Sequence, residues 1–146
     1  MIGLDTNIVL RLLGGDDPRQ SALAKALIVR ESATSPVFIS LATILEVAWV
    51  LRSSFRAPSA VIAAAIESLL GAGELAIEAA PQVFEATVAL KAGRASFADA
   101  LIGALGRRAG CTTTYTFDRK AARLASFTQL DEEERPDTSA GPSVLR

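Results

Sequence analysis

The chain has 146 residues, half of them hydrophobic and 21% charged, enough for one domain around a sizeable core. It holds no histidine and one cysteine, which excludes Ser-His-Asp and Cys-His catalysis, zinc sites built on imidazole or thiolate clusters, and any internal disulfide. Chemistry must therefore come from carboxylates, hydroxyls, Lys, Arg, Tyr or a hard cation bound through oxygen, and the formal net charge of −1 gives no overall pull toward nucleic acid.

Ile2 to Leu4 read as a short apolar strand that stops at Asp5-Thr6-Asn7. Ile8 to Leu13 then predict one or two helical turns ended by Gly14-Gly15. Asp16-Asp17-Pro18 opens a second helix to about Arg30, with proline in the first turn. Ala22, Leu23, Ala26, Leu27 and Val29 are its expected buried side. Pro36 to Ile39 form the second strand, and Ser40 caps a helix to about Arg52 in which Glu46 is the sole acid. A carboxylate on so apolar a helix is costly unless it is paired, bound to a cation, or placed at an exposed edge.

Ser59 is the expected cap of a third long helix, stopped at Gly71 to Gly73, and Leu75 to Ile77 follow as a short strand. A helix from Pro81 to about Gly93 precedes another from 96 to 109, which carries Asp99 near its start. The β-rich run 112–117 ends at Asp118, which opens a last helix, DRKAARLA, before an edge strand at Phe127 to Leu130. From Asp131 onward acid, Pro, Ser and Gly dominate, so 131–146 reads as a disordered tail or an expression remnant. Residues 1–130 form the domain. Strands alternating with helices predict a single α/β domain with a mainly parallel central sheet flanked by helices.

No apolar run is long enough to span a membrane. The opening MIGLDTN lacks the basic region of a signal peptide, so the expected location is cytoplasmic. Charge is unevenly spread. Of 15 basic and 16 acidic residues, the tail from Asp131 holds two and five, which leaves 13 against 11 in the body, a charge of +2. Setting aside Asp5, Glu46, Asp99 and Asp118 leaves 13 against seven. A basic surface around an acidic centre suits a phosphodiester approaching a cation, although an ordinary mixed surface has the same composition.

Three of these acids stand at helix starts, two of them directly after strands. Each alone could be a helix cap, and Ser96-x-x-Asp99 is a capping box in all but its last residue type. Gly103 and Gly106 lie within about 40° of the Asp99 side of that helix, so either a ligand approaches the backbone there or helix and sheet pack tightly. In open α/β sheets ligands occupy the crevice beyond the strand ends. If the four acids meet there, their repulsion calls for raised pKa values or a bound cation, and Mg²⁺ or Mn²⁺ is the natural guest of oxygen-only donors.

The combination of strand–DTN, an internal helical Glu, FADALIGA and TFDRK resembles the PIN domain, and more narrowly the VapC-type toxin ribonucleases of toxin–antitoxin pairs. DTNIVLRLLGGDDPRQ and LEVAWVLR carry the narrower likeness, and the resemblance covers roughly residues 1–127. It implies a metal-dependent endoribonuclease using Mg²⁺ or Mn²⁺. It also implies a homodimer held inactive by a VapB-like antitoxin. Asp5, Glu46, Asp99 and Asp118 would be the metal-coordinating catalytic acids. Thr6, Asn7 and Thr116 would orient a carboxylate or a water, and Arg11, Arg94, Arg119 and Lys120 would lie nearest the RNA. Many relatives read D-F-x-D where this chain has Ser96-Phe97-Ala98-Asp99, which bears on a second metal position. Two other classes stand beside this one: a catalytically silent PIN-like binding or regulatory module, and a Mg²⁺-dependent aspartyl-phosphate phosphotransfer protein. Against the latter, position 7 is Asn and no second acid accompanies Asp5 at the first strand.

Overall fold

Among the described residues every strand pairing is parallel, and parallel neighbours need crossovers, which here are mostly α-helices. The computed structural model describes residues 1–14 and 16–130. The segment 131–146, read above as a tail, lies outside the described residues, as does Gly15. Ile2 to Leu4 run beside β1 (Val37–Ile39): Phe38 N–H donates to Ile2 O at 2.8 Å and Leu4 N–H to Phe38 O at 2.9 Å. On its other side β1 pairs with β2 (Leu75–Ile77), Phe38 opposite Ala76. A second parallel pair joins β3 (Thr114–Thr116) to β4 (Phe127–Gln129), Tyr115 opposite Thr128. Among the described residues no ladder joins the two pairs.

Among the described residues six α-helices surround these strands: α1 (Thr6–Leu13), α2 (Pro18–Ser32), α3 (Leu41–Ser53), α4 (Ser59–Gly71), α5 (Ala80–Lys91) and α6 (Phe97–Arg108). The expected α/β domain with parallel strands and flanking helices is the observed one. Helix starts follow local capping chemistry: Asp5, Asp17, Ser40 and Ser96 each accept the N–H three residues on. The core is aliphatic, with Val9, Val37, Ile39, Ile44, Val47, Ile66 and Val83 fully buried. Fully burying each such side chain is worth about 1.5–3 kcal/mol over leaving it exposed.

Four expectations are corrected. The buried side of α2 is Ser21 and Ala24, with Leu27 and Ile28 half-buried, while Leu23 and Val29 are 63% and 72% exposed and Ala22 and Ala26 also face out. Helix α4 is capped by Pro58 without a side-chain bond, and Ser59 is its first residue. The segment after Asp118 makes one 3-10 turn, Ala121–Arg123, instead of a helix, because Leu124 already turns extended to lead into β4. The strand expected over 112–117 is confined to Thr114–Thr116.

The two glycines beside Asp99 are explained by packing. A Cβ at Gly103 would strike Ser126 Oγ and the Phe127 ring, and one at Gly106 would lie 2.9 Å from Thr114 Oγ1. Helix α6 lies so close over β3 and β4 that neither position admits a side chain without movement.

Candidate functional site

Two hydroxyls tie α3 to the turn after the first strand. Thr43 Oγ1 donates to Leu4 O at 3.4 Å. Three residues further along the same face, Glu46 Oε2 accepts a short hydrogen bond from Thr6 Oγ1. Residues three apart on a helix are neighbours, so Thr43 and Glu46 together grip Leu4-Asp5-Thr6 and bring Glu46 beside the turn that carries Asp5. Glu46 is exposed. The cost of burying a carboxylate therefore does not arise, since α3 buries Thr43, Ile44, Val47 and Ala48 and turns Glu46 outward. Asp5 uses Oδ1 to accept the Ile8 N–H at 3.0 Å and is exposed.

Asp99 sits in the first turn of α6, half-buried. Ser96 Oγ accepts the Asp99 N–H at 3.1 Å and donates to Asp99 Oδ2 at 2.6 Å, fixing the carboxylate with one oxygen committed. A cavity of about 490 Å³ connects this helix start to α3. Glu46, Arg52 and Ser96 are the polar residues on its wall, and Leu45, Trp49 and Phe97 are among its apolar ones. Asp118 is exposed and organises its own turn: Oδ1 accepts from the Lys120 and Ala121 N–H groups at 2.7 and 3.4 Å, and its N–H donates to Thr116 Oγ1 at 3.0 Å.

A hydrogen bond thus joins Glu46 to the Asp5–Thr6 turn, Glu46 and Ser96 share one cavity wall, and Asp118 stands at the end of β3 with no hydrogen bond to the other three acids among the described residues. Among the described residues no three acidic or thiol side chains close up into a cation cage. None of the four acids takes part in an ion pair among the described residues, where the pairs are Arg11–Asp16, Arg30–Glu31, Lys91–Glu67 and Arg107–Glu85. No Lys or Arg lies within ion-pair distance of them among the described residues, and the atoms they offer a cation are all oxygen.

Asn7 is exposed and lines a cavity of about 530 Å³ between α1 and α2. Arg11 lines it too, but its guanidinium is committed within the fold: Nη1 donates to both Asp16 oxygens at 2.8 Å and Nε to Gln20 Oε1 at 2.6 Å. The hydrogen bond from Arg11 holds the Asp16 carboxyl below its ordinary value. A depressed carboxyl adds stability above its unfolded pKa, and that part is lost as the pH falls through the folded one. Arg11→Gln is expected to bring the Asp16 titration back up to the usual carboxylate range in a carbon-detected NMR titration. An unmoved Asp16 would show that Arg11 does not set its charge. Arg94, Arg119 and Lys120 are exposed and join no ion pair among the described residues. Arg94 shares a 280 Å³ cavity with Arg107 and Glu85.

Thr43 belongs to no motif. Its one signal in the sequence is a hydroxyl three residues before the sole acid of an apolar helix.

Parallel strands with crossover helices, and acids presented from helix starts and one helix face, define an α/β domain. A family model described as the PIN domain matches residues 2–126, and the chain belongs to that family. PIN domains are generally nucleases acting on nucleic acid. No curated protein and no solved structure matches the chain. No helix among the described residues is long and apolar enough to cross a membrane.

Proposed function

We propose that this protein is a metal-dependent endoribonuclease, the toxin of a toxin–antitoxin pair. The observation that carries the reading is the Thr6–Glu46 bond, which sets Glu46 between the Asp5 turn and the cavity shared with the Ser96–Asp99 helix start. The donor set fits a hard cation: it is all oxygen and unpaired by Lys or Arg among the described residues. Asp5, Glu46, Asp99 and Asp118 would hold Mg²⁺ or Mn²⁺. The chemistry such a cation supplies when bound is activation of water toward a phosphodiester and relief of charge on the departing oxygen.

The chain's own hydroxyls do the positioning. Thr6 and Ser96 each hold one oxygen of Glu46 and Asp99 and leave the other free to face a ligand. Thr116 performs the corresponding service for the Asp118 turn through its backbone. Ser96, standing where many relatives have an acid, favours one metal position over two. Arg94, Arg119 and Lys120 supply cations for the phosphate chain, while Arg11 acts mainly through Asp16 and Gln20.

The test is cleavage of total bacterial RNA by protein freed of any antitoxin, in Mg²⁺, in Mn²⁺ and in EDTA. Cleavage that needs metal is the expected result. The absence of a closed three-acid cage favours one rival, a silent PIN-like binding or regulatory module. Calorimetry separates the two: metal uptake by the wild type that weakens in Glu46→Gln supports the enzyme, and no uptake by either protein supports the module.

A homodimer and a VapB-like antitoxin complete the proposal. Helices α4 and α5 pack together and expose Val61, Phe84 and Val88, apolar side chains that a second copy would cover. Sedimentation velocity is expected to give a dimer for the wild type and a monomer for Phe84→Glu. A monomeric wild type would remove the dimer from the proposal.

A further inference from the structure

We propose that the outer face of the β3–β4 pair is a stacking platform for single-stranded RNA. On it Tyr115 and Phe117 would take successive bases, and Arg119 and Lys120 would hold the phosphates beyond. The proposal rests on the ribonuclease reading and adds how the substrate is held.

The two faces of this small sheet are chemically unlike. Thr114 and Phe127 point toward α6, where they meet the glycines at 106 and 103. The alternate residues point the other way, as the two-residue period of a strand requires. Tyr115 is 64% exposed and Phe117, the residue following β3, is 70% exposed. Phe117 stands at the bend that ends β3, two residues on from Tyr115, so their Cα atoms lie no more than about 7 Å apart, a step that suits neighbouring unstacked bases. Thr128, the register partner of Tyr115, is exposed on the same face, and its hydroxyl lies 2.7 Å from that of Thr113. Aromatic rings on a sheet with hydroxyls beside them are how single-stranded RNA is commonly bound, since every base has a π-face.

Charge selects the occupant. From Arg107 to Arg123 the chain carries five basic residues and one acid, Asp118. Arg119, Lys120 and Arg123 are exposed and join no ion pair among the described residues. A second copy docked symmetrically on this face would set these cations against their own images. A polyanion meets them with the opposite sign. Phe117 directly precedes Asp118, so a strand stacked here runs toward one of the candidate acids.

The experiment is fluorescence anisotropy of a labelled ten-nucleotide single-stranded RNA and of the same RNA as a duplex. Both are titrated with the protein in EDTA across a salt series. Tyr115→Ala and Phe117→Ala are each expected to weaken single-strand binding roughly 5- to 100-fold, with the salt slope unchanged. Tyr115→Phe and Phe117→Tyr should restore it. Arg119→Ala and Lys120→Ala should instead flatten the salt slope. Duplex, whose bases are already stacked, should bind more weakly and be indifferent to the aromatic substitutions. Wild type that binds and cleaves RNA, with the alanine variants doing both equally well, overturns the platform and leaves the ribonuclease intact. Wild type that neither binds nor cleaves RNA removes both. Unchanged RNA affinity with a shifted oligomeric state or a lost protein partner overturns the platform in favour of a protein interface.

Discussion

Asp99→Asn is expected to fold normally and to cleave RNA at least about a thousandfold more slowly in Mg²⁺, a loss of ~4 kcal/mol in transition-state stabilisation. Asn keeps the size of Asp, and the cap of α6 is a bond from the backbone N–H of residue 99 to Ser96 Oγ, which the substitution does not touch. The Ser96 hydroxyl can still donate to the amide oxygen. What disappears is one negative charge from a donor set that has no other means of holding a divalent cation in a chain without histidine. Thr6→Val is the informative comparison. It removes the hydroxyl that orients Glu46 and leaves all four carboxylates, so a smaller loss of roughly 10- to 100-fold is expected. The ratio of the two losses, read from initial cleavage rates on one RNA, separates binding a cation from aiming a ligand. Undiminished cleavage by Asp99→Asn would remove the α6 part of the site and leave Asp5, Glu46 and Asp118 to account for activity.

Much of this architecture is legible from local chemistry. Asp5, Asp17, Ser40 and Ser96 mark four helix starts because a cap depends on the next three residues and on little else. The face of α2 is a different matter. Alanines at 22, 24 and 26 leave its rotation open, and Ser21 decides it by donating to Arg11 O at 2.8 Å and to Gly14 O at 3.1 Å on α1. The run DRKAARLA has helical composition, yet β4 must begin at Phe127 in register with Thr114, which leaves room for a single turn. The site divides along the same line. That Asp5, Glu46, Asp99 and Asp118 are the candidates follows from the lack of histidine and of thiolate clusters. That Glu46 belongs with the Asp5 turn depends on Thr6 and Thr43 reaching across forty residues of sequence, a contact no local pattern contains. Glu46 also lies outside the core because α3 presents a complete apolar face without it.

Gly103 and Gly71, both helical, should respond to alanine with opposite signs. In a free helix the change favours Ala by about 1 kcal/mol. At Gly71, in the last turn of α4, an added Cβ meets nothing within 4 Å, so that gain should be realised. At Gly103 the Cβ would strike Ser126 Oγ and the Phe127 ring. Ser126 is buried and cannot simply swing aside, because its carbonyl accepts the Thr114 N–H at 2.9 Å and holds the start of the β3–β4 ladder. Relief must come from lifting α6 off the strand pair, and overpacking of this kind typically costs about 1–3 kcal/mol. The net expectation is a Gly103→Ala protein destabilised by roughly 1–2 kcal/mol, with a melting temperature lower by several degrees for a chain of this size. Gly71→Ala should melt higher than wild type. Because α6 also carries Asp99, a lift of this helix should reach activity as well. Gly103→Ala is therefore expected to lose cleavage rate at temperatures where it remains fully folded by circular dichroism, and Gly71→Ala to keep it. A Gly103→Ala protein as stable and as active as wild type would mean that α6 has slack over the strands, and that close packing is not why glycine stands there.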